Sequence, residues 1–251
     1  WKGRTLDDYI TVRLDDDQLQ GSEAGKKSSQ TNLYHYAVTG HLAVDYARLM
    51  RLGFDGLLER AKQKLAALDM HDPEFCTKRE FYQAVIIMHG AVKKYIERYA
   101  ALAEEMAAKE PNAKRKAELE QIAVNCHAVA GGTPKTFWQA LQLFNFATML
   151  ICVESNGHSI SYGRMDQWLY PYYEADKSIS KDFALELLEV EYVKLNNPTK
   201  LKDAGSMALR NGRGFGGESL TIGGVKRDGT DATNDLTMLM LEASAHTRMM
   251  N

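Results

Sequence analysis

The chain has 251 residues, 45% hydrophobic and 25% charged, which is enough for a large globular domain with a buried core. Its 31 basic and 33 acidic residues give a formal charge of -2, so no positive surplus exists to attract nucleic acid or an anionic membrane surface. No apolar run approaches the roughly 18 residues of a membrane span and no export signal begins at Trp1, so we expect a cytoplasmic protein.

The first part of the chain is expected to pass from irregular structure into helices. Residues 1–40 form an irregular lead-in, because Asp, Gly, Ser, Lys and Gln dominate from Asp15 to Asn32. From His41 the apolar residues recur with helical spacing, and Gly53 interrupts the pattern, so two helices are predicted to meet there. The residues that share the first helical face are Ala43, Tyr46, Ala47 and Met50.

The clearest periodicity belongs to a long helix that ends before Pro111. One stripe of residues alternates steps of four and three and is predicted to pack against neighbouring helices. The stripe consists of Phe81, Val85, Met88, Val92, Tyr95, Tyr99, Leu102 and Met106. The basic run 114–116 is predicted to be the solvated start of the next helix, which turns Leu119, Ile122, Ala123 and Cys126 inward.

The second half mixes helices with strand-like segments. A helix from about Thr136 to Cys152 is apolar nearly all round, which is typical of a helix buried in a larger structure. An amphipathic helix follows from the N-cap Ser180 to about residue 195, residues 218–225 have strand character, and a last helix covers about 233–249. The chain is therefore divided into a helical part, 41–152, and a part with helices and strands, 153–251.

The three cysteines do not indicate a disulfide framework or a zinc site. Cys76, Cys126 and Cys152 are odd in number, widely spaced and without CxxC pairing, so reduced thiols are expected. Cys152 stands two residues before Glu154, a spacing that would also suit a reactive sulfur beside a proton-transfer group.

Neither a dinucleotide-binding motif nor a metal-binding histidine motif is predicted. Residues 212–217 match GxGxxG, but no convincing strand precedes them, so a loop is expected rather than a dinucleotide site.

No histidine pair has a metal-binding helical spacing, and no metal is predicted. Five histidines are expected to be surface or hydrogen-bonded core groups: His35, His71, His89, His127 and His246. His41 and His158 differ, because each follows a glycine at an element boundary, where the chain can turn closely around a ligand.

The stretch 154–173 is the strongest candidate for a site. Its polar, glycine-punctuated first half follows an apolar helix and leads into an aromatic-rich second half. Many polar side chains must be satisfied there at once, which is typical of a place where a ligand supplies part of the hydrogen bonding.

The same stretch carries a resemblance to a known family. Residues 163–176, GRMDQWLYPYYEAD, resemble a signature of the glycyl radical enzymes, the pyruvate formate-lyase-like family. Four other segments fit in the right order: Gly40 to Leu57, PKTFWQALQ at 134–142, ESNGHSIS at 154–161, and LTIGG at 220–224. The third of these resembles the active-site strand of the branch that contains glycerol dehydratase and choline trimethylamine-lyase.

The resemblance implies an α/β fold, in which this chain is a predominantly helical fragment of a ten-stranded α/β barrel. It also implies that a glycyl radical, installed elsewhere in the parent protein by a radical-SAM activating enzyme, oxidises a cysteine to a thiyl that takes hydrogen from a small-molecule substrate. No cofactor is expected to be bound, and the parent is expected to be a homodimer.

Site residues follow from the same resemblance. His158 and Ser159 lie where the branch places contacts to substrate hydroxyls, and His41 lies where it places a further polar contact. Arg164 and Asp166 belong to the signature too; an internal ion pair between the strand and the following helix and a contact to substrate both stay open for them, and a structural role is favoured. The family's catalytic Gly-Cys-Val-Glu loop and its radical glycine loop are not found in this sequence, and Cys152 precedes the position of the former, so it is read as the end of the buried helix.

The function implied is that of a dehydratase or carbon–heteroatom lyase acting on a small hydroxylated substrate. Two alternatives stay open: formate C-acetyltransferase activity, and a non-catalytic helical binding or scaffold module favoured by the missing loops and the 81–106 stripe.

Overall fold

A computed structural model describes residues 40–155, 158–195 and 219–248. The irregular lead-in expected at 1–40 lies outside these residues except for Gly40, which begins a strand, and the GxGxxG segment lies outside them entirely. The strands are Gly40–Ala43 (β1), His158–Arg164 (β2) and Ser219–Thr221 (β3). The helices are Tyr46–Ala66 (α1), Phe75–Lys109 (α2), Ala113–Val129 (α3), Phe137–Ser155 (α4), Met165–Trp168 (α5), Tyr170–Ala175 (α6), Lys181–Leu195 (α7) and Asp235–Thr247 (α8).

The three strands form one parallel sheet in the order β1-β2-β3. Gly40 lies opposite His158 and Leu42 opposite Ile160, so β1 and β2 run in step. Between β2 and β3 the register shifts by one residue after Ser161, which marks a β-bulge. Parallel strands need long crossover connections, and here α1 to α4 connect β1 to β2.

Only one face of this sheet is covered by the described helices. Ile160 and Tyr162 alternate along β2 and are fully buried, and they belong to the main hydrophobic core. Ala43 and Ser219 stand on the two neighbouring strands and are exposed. The sheet therefore has a helix-covered face and an uncovered face.

Helix α4 is the centre of the core, as its apolar composition predicts. An aromatic cluster joins it to the sheet: the ring of Phe144 lies 4.9 Å from that of Tyr46 and 5.2 Å from that of Tyr162, and Trp168 stacks on Tyr46 at 5.3 Å. The hydroxyl of Tyr46 meets that of Thr148 at 2.9 Å, so the phenol is satisfied inside the core.

The stripe predicted to bury α2 is only partly buried. Val92 is buried and Tyr95 packs against the core, but Phe81 is 62% exposed, Met106 is 47% exposed, and Met88, Tyr99 and Leu102 are exposed too. Beyond Val92 the buried residues of the helix lie on a neighbouring face and consist of Ile96, Ala100, Ala103 and Ala107, which also follow steps of four and three. Alanines allow two helix backbones to approach closely, so α3 packs on this small-residue face, and the larger apolar residues remain uncovered by the described part of the chain.

The boundaries of the other helices largely follow the sequence, with one correction. Ser180 caps α7 through a bond from the Phe183 amide to its hydroxyl (3.1 Å), and 114–116 are exposed at the start of α3. Residues 41–43, however, belong to β1 rather than to a helix, because pairing with β2 outweighs their helical spacing. None of the described helices is both long and apolar enough to cross a membrane.

Gly53 kinks α1, as the break in periodicity predicts. Its φ is 62°, in the left-handed region, and the Asp55 amide donates to the Gly131 carbonyl at 2.8 Å. A Cβ at position 53 would lie 2.5 Å from the carbonyl oxygens of Gly131 and Gly132. The backbone of the α3–α4 connection thus packs directly into the kink, where only glycine fits.

We expect Gly53→Ala to lower the free energy of unfolding by about 3 kcal/mol or more, because it combines a positive φ with a backbone clash. Gly90→Ala is the matched control: Gly90 lies in α2, and a Cβ there would meet nothing within 4 Å. This control should instead stabilise the protein by about 0.5–1 kcal/mol through helix propensity. Urea denaturation measures both, and equal effects would contradict the packing argument.

Glu191 of α7 is a carboxyl group inside the core. Only 3% of the residue is exposed, and burial raises its pKa from 4.5 to about 7, although Lys194 and a 3.1 Å bond from the Asn145 amide oppose the shift. A raised folded-state pKa means that the protonated form is favoured in the native state. Stability is therefore highest below about pH 4.5 with respect to this group, and declines as the pH rises toward 7.

Glu191→Gln should remove this decline, because a glutamine cannot ionise and its amide oxygen still accepts from Asn145. The variant should have an unchanged thermal midpoint at pH 5 and a higher one at pH 8, by several degrees. Thermal unfolding of both proteins across that range is the measurement. An equal difference at both pH values would show that Glu191 is ionised throughout.

Candidate functional site

The start of the sheet brings together two segments that are far apart in the chain. Gly40 and His158 are paired across β1 and β2, so the following positions, His41 and Ser159, stand level with each other. All three residues proposed to bind substrate therefore lie on adjacent strands at one end of the sheet. Their side chains lie outside what the structure describes, so their role as ligand contacts stays a prediction.

Strand alternation assigns these positions to faces. Positions 41 and 159 share the row of Ala43 and Ser161, on the uncovered face, whereas position 158 falls in the row of Ile160. His158 is the first residue of β2 and is paired with Gly40. By strand alternation, positions 41 and 159 therefore fall on the uncovered face and position 158 on the helix-covered face.

The side chains around Ser161 on the uncovered face are small. Ser161 lies opposite Ser219, and Ala43 lies opposite Ser161 on the other side. The hydroxyl of Ser161 accepts a long 3.4 Å bond from the amide of Gly163. Small side chains leave space over the sheet, and hydroxyls can both donate and accept, which suits a polar ligand.

Arg164, at the end of β2, binds backbone carbonyls rather than an acid. Its Nη1 donates to the carbonyls of Gly223 (3.2 Å) and Val225 (2.8 Å), beyond the end of β3. A Cβ on Gly224, whose φ is 89°, would come within 3.1 Å of the same nitrogen. The guanidinium therefore anchors the segment that leaves β3.

Asp166 anchors the same segment from the other side. It is fully buried, and its Oδ2 accepts from the amide of Gly223 (2.7 Å) and from the hydroxyl of Thr237 (2.5 Å). Asn234 donates to the Asp166 carbonyl at 3.2 Å and caps α8 together with Thr237. One carboxylate thus joins the end of β2, the segment after β3 and the start of α8. We call Arg164 and Asp166, with the Gly223 peptide they bind, the Gly223 clamp.

The predicted ion pair between Arg164 and Asp166 is therefore wrong. The two side chains bind opposite ends of the residue at 223, the arginine its carbonyl and the carboxylate its amide. Each side chain is hydrogen-bonded to a backbone group of Gly223, and no salt bridge joins the two described side chains. Neither side chain is directed to a ligand by these bonds, which agrees with the structural role expected for both.

Cys152 lies in the last turns of α4, half-buried and packed against the core, as predicted for the end of that helix. The helix continues to Ser155, so residues 154 and 155 are helical and the strand begins only at His158. The resemblance had placed both residues in the strand, and this is a correction. The backbone changes from helix to strand between Cys152 and the sheet, which separates the thiol from the uncovered face.

The remaining described histidines are bonded to carboxylates. His71 meets Asp69 (2.9 Å), His89 meets Asp55 (2.8 Å) and His246 meets Glu189 (2.6 Å). His127 bridges Glu97 and Glu104 at 2.8 and 2.9 Å, and both carboxylates raise its pKa. Across residues 40–155, 158–195 and 219–248 no group of three potential metal ligands converges. His35 lies outside these residues.

An apolar cavity among the described residues does not coincide with the predicted site. It has a volume of about 390 Å³ and lies between α1, α2 and α4, where Leu49, Phe54 and Met88 contribute to an apolar lining. The polar groups at its edge, Asp45 and Arg48, pair with each other at 3.1 Å. It is an uncovered apolar groove without convergent polar groups, so the sheet is the better candidate for polar chemistry.

Sequence reasoning missed several residues around the sheet. Ser161 lay inside the stretch 154–173 but gave no signal of its own, and Ser219 was read only as part of a strand. Thr237, the buried partner of Asp166, could have been found from the capping pattern, since Asn234 and Thr237 stand three residues apart at a helix start. The pairing of Ser161 with Ser219 had no signal, because it depends on register.

Comparison with known proteins places the whole chain in one family. A family model described as pyruvate formate lyase-like matches residues 1–251. The (2S)-3-sulfopropanediol dehydratase of Klebsiella oxytoca is 67% identical over 254 residues, covering 100% of this chain and 31% of that protein. The isethionate sulfite-lyase of Nitratidesulfovibrio vulgaris is 34% identical over 255 residues, covering 97% and 31% respectively.

Solved structures agree with the sequence matches. The B12-independent glycerol dehydratase from Clostridium butyricum, in its glycerol-bound form, aligns with a TM-score of 0.80 at 38% identity, covering 99% of this chain and 31% of that one. A structure from Roseburia inulinivorans, described for 1,2-propanediol dehydration, aligns with a TM-score of 0.81 at 35% identity and the same coverage. The chain thus spans about a third of the length of these relatives.

The role of the Gly223 clamp can be tested by separating charge from hydrogen bonding. Asp166→Ala leaves a buried amide and a buried hydroxyl without their acceptor and should cost about 3 kcal/mol of unfolding free energy. In Asp166→Asn the amide oxygen can accept both bonds in place of Oδ2, but the NH2 group takes the buried Oδ1 position, which has no hydrogen-bond partner among the described residues, so we expect a cost of about 1–2 kcal/mol, below that of Asp166→Ala. Urea denaturation distinguishes the two, and a loss in Asn as large as in Ala would show that accepting these two bonds is not what Asp166 contributes.

Proposed function

The chain belongs to the pyruvate formate lyase-like family, and from that premise we propose that it forms part of the substrate-binding wall of a glycyl radical dehydratase acting on a small diol. The single observation that carries the proposal is the 67% identity to a (2S)-3-sulfopropanediol dehydratase over the whole chain. Structural similarity to proteins described for glycerol and 1,2-propanediol supports the same class of substrate. We name sulfopropanediol, a vicinal diol with a sulfonate, as the first substrate to test.

The parallel sheet supports a place in a barrel. Helices cover one face, and the uncovered face carries small polar residues, as expected where strands line a cavity and helices surround it. We propose that β1, β2 and β3 are adjacent strands of the ten-stranded barrel of the family, with the uncovered face inside. This arrangement keeps the core helices between the substrate and solvent.

The residues of this chain would bind and orient the substrate. His41 and Ser159, level on β1 and β2, would hold substrate hydroxyls, since imidazole and hydroxyl groups both donate and accept. His158, at the start of β2, would make a further contact and could supply the proton with which a hydroxyl leaves as water. The chemistry that the family's radical supplies is abstraction of a hydrogen atom from substrate carbon, and the cysteine and glycine loops for it are not found among these 251 residues.

A specific observation favours one competing reaction. Isethionate sulfite-lyase is 34% identical over nearly the whole chain, so cleavage of a carbon–sulfur bond is the second candidate. The two reactions give different products from sulfopropanediol, an aldehyde that retains its sulfonate or free sulfite. The expectations of a homodimer, of an activating enzyme as partner and of a cytoplasmic location belong to this proposal and rest on the resemblance.

The proposal is tested in the full-length protein that contains this chain, after activation under anaerobic conditions. With (2S)-3-sulfopropanediol we expect an aldehyde product and no sulfite, measured by NMR and by a sulfite assay. Release of sulfite would favour the lyase, and neither product with any of sulfopropanediol, glycerol or 1,2-propanediol would contradict the proposed function.

His158→Ala in the same protein should lower turnover by about 100-fold or more, since a lost catalytic or binding hydrogen bond has an effect of this size. Its thermal midpoint should stay within a few degrees of the parent value. His246→Ala, a histidine bonded to Glu189 in α8, is the control and should leave turnover unchanged. Unchanged kinetics for His158→Ala would remove this residue from the site.

A further inference from the structure

Two serines stand side by side on the uncovered face of the sheet. Ser161 of β2 and Ser219 of β3 are direct partners across the parallel ladder. Neighbouring strands lie about 4.8 Å apart, so the two side chains start at about that separation. Ser161 lies two residues after Ser159 on β2, so the serine pair is the next position on the same face of the sheet after His41 and Ser159.

The direction of both serines follows from their neighbours. Ile160 and Tyr162, on either side of Ser161, are fully buried under the helices. Leu220, which follows Ser219, packs against the same core, while Ser219 itself is exposed. Since successive residues of a strand point to opposite faces, both serines belong to the uncovered face.

The immediate neighbours of the pair are small. Ala43 stands beside Ser161 on β1, and Thr221 follows Ser219 on the same face of β3. The nearest charged residue along the ladder is Arg164, the partner of Thr221, and its guanidinium binds the carbonyls of Gly223 and Val225. In the bond with the Gly163 amide the Ser161 oxygen is the acceptor, so its hydrogen can be donated outward.

We propose that Ser161 and Ser219 share with His41 and Ser159 the binding of the two vicinal hydroxyl groups of the diol substrate, an inference that rests on the proposed function. Side chains at this spacing converge on adjacent oxygens of one small molecule, and each hydroxyl can donate to or accept from an alcohol. His41, Ser159 and the serine pair then form one polar surface across three strands. The small residues of the uncovered face form the bottom of this polar surface.

The Gly223 clamp holds this pair in place. Strand β3 has only three residues and meets β2 across a bulge, so its own ladder fixes register weakly. Arg164 and Asp166 bind both ends of residue 223, two residues beyond β3, and thereby fix β3 along β2. Ser219 is kept level with Ser161 as a consequence.

The test measures binding to the unactivated full-length protein, so that no radical chemistry is involved. Isothermal titration with (2S)-3-sulfopropanediol should give a Kd about tenfold higher for Ser161→Ala and for Ser219→Ala than for the parent. Ser161→Thr, which keeps the hydroxyl, should restore most of the affinity. Ser244→Ala, an exposed serine of α8, is the control and should change nothing.

Propane-1-sulfonate separates the diol from the sulfonate. If the serines bind hydroxyls, its Kd should be the same for the parent and both alanine variants, and an equal loss for both ligands would overturn the assignment. Unchanged affinity for sulfopropanediol in both alanine variants, with affinity lost in His41→Ala, would also overturn it while leaving the proposed function intact. If the parent binds neither sulfopropanediol nor 1,2-propanediol, the proposed function fails and the inference fails with it.

Discussion

The buried carboxylate of Asp166 is the constraint on which the sheet and its surroundings depend. A strand of three residues cannot hold its own place beside a neighbour, and β3 is such a strand. Asp166 binds the amide of Gly223 and the hydroxyl of Thr237, and Arg164 binds the carbonyl of the same glycine. Burying a carboxyl group is costly, and the two hydrogen bonds at Oδ2 offset part of that cost, whereas Oδ1 is buried without a hydrogen-bond partner among the described residues. Strand β2, the segment after β3 and helix α8 are joined as one unit.

The other half of the architecture is a helical layer on one face of the sheet. Aromatic rings from α1 and α4 meet Tyr162 of β2, and Trp168 of α5 stacks on Tyr46. The kink at Gly53 lets the backbone before α4 pack against α1. Burying all large apolar residues of the sheet on this side leaves the opposite face to small polar ones. That asymmetry is what makes the uncovered face suitable for a hydroxylated ligand, and it gives the proposed function a physical basis beyond similarity to known dehydratases.

Sequence patterns predicted the positions of the helices well, but they predicted poorly which helix faces and which side chains contact each other. The long helix α2, the buried helix α4, the cap at Ser180 and the kink at Gly53 could all be read from periodicity, capping residues and glycine. The stripe from Phe81 to Met106 was assigned to the interior, yet α3 packs on the alanine face next to it. Two faces of one helix can carry equally regular apolar spacing, and periodicity does not say which of them meets another helix. The ion pair predicted for Arg164 and Asp166 was wrong for a related reason, since each side chain had a backbone partner about 60 residues away in sequence.

The sequence by itself determined the family, the mainly helical composition and the segments that carry the site, because ordered motifs and local periodicity are properties of the chain alone. It also singled out His41, His158 and Ser159, whose contacts with substrate remain a prediction. The tertiary structure determined which residues of other segments lie next to them. The level placement of His41 with Ser159 and the pairing of Ser161 with Ser219 join residues roughly 60 to 120 positions apart. Strand register has no local signature, since it is fixed by the core on one face and by the Gly223 clamp at the strand ends.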